Sequence, residues 1–134
     1  MDRQEEDRLG VEIVRLAYGR GDTDARVLNF TVRFHEPEGA AAACRVIEMY
    51  NSFDGEAVAR AIEGLVLPDS SPLTLPAWSI GREQSPCIYV SHLGSGDAVA
   101  GISILLGGLL ASEVEEVHDG AGSGYGRTVR GWWD

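Results

Sequence analysis

Apolar and polar side chains alternate strictly over residues 28–35, with Leu28, Phe30, Val32 and Phe34 at the apolar positions. This period of two is typical of a strand with one buried face. Residues 11–18 form another extended run, rich in β-branched and aromatic side chains, and are predicted as a second strand. Because residues 20–24 have turn composition, we expect the two runs to pair as an antiparallel hairpin.

Residues 37–50 are predicted as a helix, because Pro37 suits a first helical position and Glu38 follows near the positive end of the helix dipole. Residues 51–55 interrupt this segment, and Asp54 is placed to cap a second helix. We therefore expect either two consecutive helices or one kinked helix. The apolar stripe of the second helix is expected at Val58, Ala61, Ile62 and Leu65. Residues 68–76 hold three prolines and two serines and are predicted as an extended surface connection.

A second hairpin is predicted further along, from the short strands 77–81 and 87–93 and the turn between them. Both faces of the strand at 87–93 carry apolar side chains. We therefore expect this strand in the centre of the sheet.

Residues 98–111 contain no charged side chain. A helix that is apolar nearly all round is expected to be buried on most sides. Gly101, Gly107 and Gly108 each cost up to about 1 kcal/mol relative to alanine in a helix, so they should allow a close approach. That approach is either tight packing on the sheet or a helix-to-helix contact across a homodimer.

The last part of the chain combines acidic and aromatic residues. Glu113, Glu115 and Glu116 are expected at the negative end of the preceding helix dipole, an arrangement that favours a basic partner. Residues 119–126 have the composition of a flexible glycine-rich linker. Trp132 and Trp133 follow, either as a last edge strand or as an exposed anchor of the kind enriched at interfaces.

The order of these elements indicates an α+β fold, a two-layer α/β sandwich. We expect a mainly antiparallel sheet of about four to five strands, in the order ββα(α)ββα(β), with the helices on one face. The length of 134 residues fits a single domain, 1–134, with a flexible segment at residues 1–9.

The charge is strongly negative, since 21 acidic residues stand against 11 basic ones, all arginine, for a formal net charge of −10. Such a field repels nucleic-acid phosphates, so it disfavours direct nucleic-acid binding and favours a partner with a basic surface. An acidic, lysine-free composition is also typical of a GC-rich genome or a salt-adapted proteome. No apolar run is long enough to cross a bilayer, and we expect a cytoplasmic protein that does not bind membranes.

Candidate ligand-binding residues are Gly94, Ser95 and Gly96, together with His35 and His92. The glycine turn follows a predicted strand and opens a helix, a setting in which backbone N–H groups bind anions. Its spacing does not fit the dinucleotide fingerprint, and the chain has no lysine for a P-loop. A tight turn in which Ser95 or Asp97 caps the helix explains the same residues.

Cys44 and Cys87 are interpreted as buried thiols, because neither has a second cysteine or a histidine at metal-ligand spacing. His92 lies five residues beyond Cys87 on the same predicted strand, and an odd separation places the two side chains on opposite faces. The sequence therefore predicts no catalytic residue, no metal site and no cofactor.

Two functions of different classes remain. The first is a small, acidic, non-enzymatic interaction protein, such as an inhibitor, an immunity protein or a chaperone. It would bind a basic partner through Trp132, Trp133, Glu113, Glu115 and Glu116. The second is a small-molecule or anion-binding domain, or a small enzyme, that uses the turn at 94–97 and nearby histidines.

The small size, negative charge and two-layer outline resemble those of bacterial secretion chaperones and toxin-neutralising immunity proteins. This likeness of outline assigns no residues. We favour the interaction protein over the enzyme, because no catalytic set is recognisable.

Overall fold

The computed structural model describes residues 2–19, 29–65, 76–117 and 127–134. In these residues the chain forms four helices, a five-stranded sheet and a two-stranded sheet. In chain order the elements are α1 (Arg3–Gly19), β1 (Asn29–Phe34), α2 (Pro37–Ile47), β2 (Met49–Tyr50), β3 (Phe53–Asp54), α3 (Gly55–Gly64), β4 (Ala77–Glu83), β5 (Ser85–Leu93), α4 (Gly96–Gly108), β6 (Glu113–Val117) and β7 (Arg127–Trp132). The predicted turn at 20–24, most of the connection at 68–76 and the linker at 119–126 lie outside the described residues.

The large sheet is antiparallel throughout, with the strand order β1-β4-β5-β7-β6. The predicted α+β class with a mainly antiparallel sheet is therefore confirmed. β5 occupies the centre of the sheet, as the apolar side chains on both of its faces predict. β4 and β5 are longer than predicted and leave only Gln84 between them, a residue whose φ of 64° closes the hairpin.

The register of the large sheet brings its buried apolar side chains together. Phe34 lies opposite Trp78, Trp78 opposite Val90, and Val90 opposite Val129. Residues directly opposite each other in neighbouring strands share a face of the sheet. All four side chains are buried, so they mark a face that forms part of the core.

Residues 11–18 belong to helix α1, so the prediction of a strand and of a hairpin is wrong. The buried positions of α1 are Asp7, Gly10, Val14 and Ala17, spaced three and four residues apart. Only Val14 among these residues is large and apolar, so the local run of β-branched side chains concealed the helical period. A Cβ at Gly10 would lie 2.9 Å from side-chain atoms of Val32 and Phe34, so this glycine lets α1 pack closely on β1. The helix also includes most of the N-terminal segment that was predicted to be flexible.

The prediction of consecutive helices in the middle of the chain is confirmed. α2 begins at Pro37 as expected and ends before residue 50. Asp54 caps α3, because its Oδ1 accepts hydrogen bonds from the backbone N–H groups of Glu56 and Ala57 at 3.1 and 3.2 Å. Beyond its first glycine, the buried residues of α3 are Val58, Ala59 and Ile62, whereas the predicted positions Ala61 and Leu65 are half-buried.

α4 is buried on one side only, so the prediction of burial on most sides is wrong. Its buried residues are Ala98, Ile102 and Leu106, and Ile104 is 75% exposed. Among the described residues, nothing lies within 4 Å of the Cβ positions of Gly101, Gly107 and Gly108, so tight packing on the sheet does not explain these glycines. Within the described residues, the main contacts of the helix are with β7, β6 and β5, and its other side is exposed. Its use in a homodimer stays a prediction.

Glu113, Glu115 and Glu116 lie in strand β6, so their predicted place at the end of a helix is wrong. α4 ends at Gly108, and the chain turns through Leu110, which has a φ of 68°. The glutamates are thus separated from the helix, and the helix dipole provides no argument for a basic partner.

Trp132 and Trp133 do not form an exposed pair, so this prediction is wrong. Trp133 is fully buried, its ring lies edge-to-face with Phe53 at 5.0 Å, and its Nε1 donates a hydrogen bond to the carbonyl of Leu109 at 2.9 Å. Trp132 is half-buried at the end of β7, which lies between β5 and β6 and is not an edge strand. Neighbouring residues of an extended chain point in opposite directions, so the two indoles have different surroundings.

One buried arginine connects three elements inside the core. The Cζ of Arg82 on β4 lies 5.0 Å from the ring centre of Tyr18 on α1 and 5.2 Å from that of Tyr50 on β2. Its Nη2 also donates to the Tyr50 hydroxyl at 3.0 Å. Burial raises the pKa of Tyr18 well above its usual range, so this ring stays neutral beside the guanidinium.

Candidate functional site

The most distinctive polar surface lies at the β6 margin of the large sheet. Within the described residues, β6 pairs with β7 on one side and with no strand on the other. Its register places Glu113 opposite Trp132 and Glu115 opposite Arg130, so these four residues share a face. We call β6 with the side chains of Glu113 and Glu115 the acidic edge.

Arg130 is the cation nearest to these glutamates among the described contacts. Its Nη2 lies 2.6 Å from the Oε2 of Glu83, whereas its Nη1 lies 3.4 Å from Glu115 and 3.9 Å from Glu113. The arginine side chain is 13% exposed, and its shortest contact is with β4 rather than β6. One guanidinium therefore faces three carboxylates, and the surface keeps a negative charge.

The charge state of Glu83 follows from its partners. Hydrogen bonding by Arg130, together with a hydrogen bond from the Tyr89 hydroxyl, holds the pKa of Glu83 below its usual range. Burial and the bond to Glu83 raise the pKa of Tyr89 to about 12. At neutral pH this group is thus an ionised carboxylate held by a neutral phenol and a charged guanidinium.

Glu113 and Glu115 differ from Glu83 in exposure. Their side chains are 57% and 58% exposed, Glu113 lies 3.9 Å from Arg130, and Glu115 accepts a hydrogen bond of 3.4 Å from it. Water screens such contacts, so neither carboxylate is held strongly by the protein. Both are available to cations that approach from solvent.

Glu116 and Trp133, two further residues predicted to bind a partner, are separated from this surface. Glu116 lies opposite Val129, and therefore on the other face of β6 from Glu115. Its carboxylate is paired with Arg127 through contacts of 2.6 and 2.7 Å. Trp133 is buried in the core, so three of the five predicted residues, Glu113, Glu115 and Trp132, lie together.

The predicted ligand-binding turn acts locally as a helix cap. The Oγ of Ser95 accepts a hydrogen bond from the N–H of Ala98 at 3.1 Å, which caps α4 as the simpler interpretation predicts. A Cβ at Gly96 would lie 3.2 Å from a guanidinium nitrogen of Arg127, whereas nothing in the described structure lies within 4 Å of such a Cβ at Gly94. The turn therefore faces β7 and its arginine.

The two candidate histidines belong to different surroundings. His35 follows β1 and contacts Glu6 through its Nε2, so it is associated with α1. His92 lies on β5, exposed, with a φ of 65° at the irregular end of that strand. β4 separates the two strands. His92 therefore lies close to the turn in sequence. No described contact connects His35 to the turn.

Sequence reasoning missed Asp7, the buried carboxylate of α1. Its Oδ1 and Oδ2 accept hydrogen bonds from the backbone N–H groups of His35 and Glu36 at 2.9 and 3.0 Å, just before α2 begins. A Cβ at Gly39 would lie 2.5 Å from Oδ2, so only glycine leaves room for this carboxylate. The sequence signal that could have indicated this contact is Gly39, a glycine in the first turn of a predicted helix. A cavity of about 300 Å³ lies beside this contact, lined in part by Arg8 and by Asp7 itself.

The two thiols are poorly suited to nucleophilic chemistry. Burial raises the pKa of Cys87 to about 12 and that of Cys44 still further, so both stay protonated at neutral pH. In the described parts of the chain, no group of three or more histidine, cysteine and carboxylate side chains is arranged to hold a metal ion. The helices there also include none that is both long and apolar enough to span a membrane.

Comparison with known proteins gives no assignment. No family model matches the chain, and neither the search of curated proteins nor that of solved structures found a match.

Proposed function

We propose that this protein is a non-enzymatic interaction protein that binds a partner with a basic surface through the acidic edge. The observation that carries the proposal is the exposure of Glu113 and Glu115 beside a single arginine that is held by Glu83. Lysine or arginine side chains of a partner would find two carboxylates that are already on the surface. Little of the protein's own structure must rearrange to meet them.

The charge of the whole chain supports the same function. A net charge of −10 attracts a basic protein at long range and accelerates its association. The same field disfavours nucleic acid as the direct ligand. An inhibitor, an immunity protein or a chaperone for a basic protein fits this description, and the cytoplasm is the compartment we propose.

Local chemistry favours binding over catalysis at this surface. Glu83 is held in the ionised form by Arg130 and Tyr89, and the thiol of Cys87 is held in the protonated form by burial. A general acid or base works best with a pKa near the operating pH, and these groups are shifted away from it. Glu83 and Cys87 are thus suited to keeping one protonation state rather than to transferring protons.

The test compares two variants with the same change in net charge. Glu113→Gln with Glu115→Gln removes the two carboxylates of the acidic edge, and Glu5→Gln with Glu12→Gln removes two exposed carboxylates of α1. Each tagged protein is incubated with an extract of its native cells at low salt, and retained proteins are quantified by mass spectrometry. We expect a basic protein to be retained by the wild type and by the α1 variant and lost from the acidic-edge variant.

Salt provides the second arm of this test. At about 1 M salt the Debye length is about 3 Å, so a contact between exposed charges should release its partner. A partner that the acidic-edge variant retains as well as the wild type does would contradict the proposed surface. Loss from both variants alike would mean that total charge, and not Glu113 and Glu115, governs binding.

A further inference from the structure

We infer that the acidic edge binds an extended basic segment of its partner, which pairs with β6 as an additional strand of the large sheet. This inference rests on the proposed function and specifies how the partner is bound. β6 is a five-residue strand whose outer side has no strand partner within the described residues. The outer strand of a sheet presents backbone N–H and C=O groups that another extended chain can pair with.

The negative charge of the acidic edge favours an extended chain with basic side chains. Glu113 and Glu115 lie on one face, two residues apart, so their Cα atoms are separated by roughly 6.8 Å along the strand. An added strand has the same repeat, and basic side chains at positions i and i+2 would lie beside the two carboxylates. A second copy of β6 would instead bring glutamates beside glutamates, which is unfavourable.

The other face of β6 carries Val114 and Glu116, and the carboxylate of Glu116 is already paired with Arg127. Val114 lies opposite Gly131 and is half-buried against the core. A Cβ at Gly131 would lie 2.9 Å from Leu106 of α4, so this is the face on which α4 packs. An apolar side chain at position i+1 of the added strand would extend this covered surface. The segment we infer therefore alternates basic and apolar residues.

The opposite margin of the sheet provides a comparison. β1 is also an outer strand within the described residues, but its charged side chain is Arg33 and it contains no carboxylate. A basic segment would meet a like charge there. Charge therefore directs such a segment to β6 and away from β1.

The experiment uses three synthetic nine-residue peptides with one composition. The first alternates arginine and valine, the second has the arginines grouped at one end, and the third repeats the first sequence with alternate backbone nitrogens methylated. Methylation removes N–H donors and leaves the charge unchanged. Affinity is measured by fluorescence anisotropy against the wild type, the Glu113→Gln/Glu115→Gln variant and the Glu5→Gln/Glu12→Gln variant.

We expect the alternating peptide to bind the wild type about tenfold more tightly than the grouped or the methylated peptide, a difference of about 1.4 kcal/mol, because its backbone hydrogen bonds depend on register and on free N–H groups. It should also bind the acidic-edge variant about tenfold more weakly, and the α1 variant as tightly as the wild type. Hydrogen exchange measured by NMR should slow at alternate amides of β6 when the alternating peptide is bound. Amides of β1 should exchange at the same rate as without peptide.

The possible failures are distinguishable. Equal binding of all three peptides to the wild type, weakened by loss of Glu113 and Glu115, would overturn strand addition and leave the proposed acidic surface intact. Equal binding to the wild type and the acidic-edge variant would overturn both. No binding of the alternating peptide, or protection of β1 instead of β6, would also overturn the inference.

Discussion

Glycines have opposite roles in the two helical regions of this protein. In the region formed by α1, α2 and α3, a Cβ at Gly55 would lie 2.0 Å from the carbonyl oxygen of Cys44, and one at Gly39 would lie 2.5 Å from Asp7. In α4, Gly101 and Gly108 have no such neighbour within 4 Å among the described residues. The same residue type is thus required by close packing in one region and not required by any described contact in the other.

The difference concerns how each region is stabilised. The backbones of α2 and α3 approach closely at Gly55, whose Cβ position lies 2.0 Å from the carbonyl oxygen of Cys44 and 2.8 Å from that of Glu48. α4 is held to the sheet by the row of Ala98, Ile102 and Leu106 and leaves apolar surface exposed. Gly39 and Gly55 in the first region should therefore be intolerant of added atoms, and the open glycines of α4 should tolerate or benefit from them.

The largest effect is expected from Gly55→Ala. The added methyl would collide with a backbone carbonyl, which cannot rotate away as a side chain can, so we expect a loss of about 3 kcal/mol in the free energy of unfolding. Urea denaturation measures it. Gly64→Ala on the same helix is the control, because nothing described lies within 4 Å of its Cβ position. Equal stability of both variants would show that α2 and α3 are not closely packed.

A smaller loss is expected from Asp7→Ala. It leaves the backbone N–H groups of His35 and Glu36 without their carboxylate acceptor, at a cost of about 2 kcal/mol. Gly39→Ala should be destabilising in the wild type and less so in the Asp7→Ala background, since its methyl collides with the carboxylate. Additive losses in this double-mutant cycle, measured by thermal unfolding, would argue against the contact.

The opposite sign is expected for Gly101→Ala in α4. Alanine is favoured over glycine in a helix interior by about 1 kcal/mol, and the site has room for the methyl. The variant should therefore unfold at a higher urea concentration than the wild type. Its oligomeric state should be the same as that of the wild type. A loss of stability accompanied by a smaller mass in light scattering would instead reveal a close contact between two copies at this helix.

The smallest effect concerns the ion pair near the acidic edge. Because the hydrogen bond from Arg130 lowers the folded pKa of Glu83, the pair adds stability above the unfolded pKa and loses it as the pH falls through the folded value. Below about pH 4.5 the wild type should therefore lose stability more steeply than Glu83→Gln does. Parallel curves from acid titrations of the two proteins would show that the pair contributes nothing measurable.

Local signals predicted the elements that depend on few residues. The alternation that ends at Phe34 gave strand β1, and Asp54 was recognised as a helix cap, because both patterns act within a few residues of chain. Two apolar faces identified β5 as the central strand. Glu113 and Glu115 were also predicted to bind a partner, which stays a prediction, and they were assigned to the wrong kind of element.

The failures all depend on neighbours that are distant in sequence. The helical period of α1 includes Asp7, whose burial makes sense only beside the start of α2. The exposure of α4 depends on which elements pack against it. The hydrophobic pattern of the helix itself carries no information about those elements. Trp133 is buried because the chain end leaves β7 toward Phe53, a contact between residues 80 positions apart along the chain.

The amino-acid sequence by itself determined the α+β class, the central hairpin, the capped helices and the negative charge, because these follow from composition and from short-range periodicity. Only the tertiary structure decided which glycines are required, which tryptophan is buried and which glutamates share a face at the margin of the sheet. Those properties depend on strand order and packing, which bring together residues that no local pattern relates.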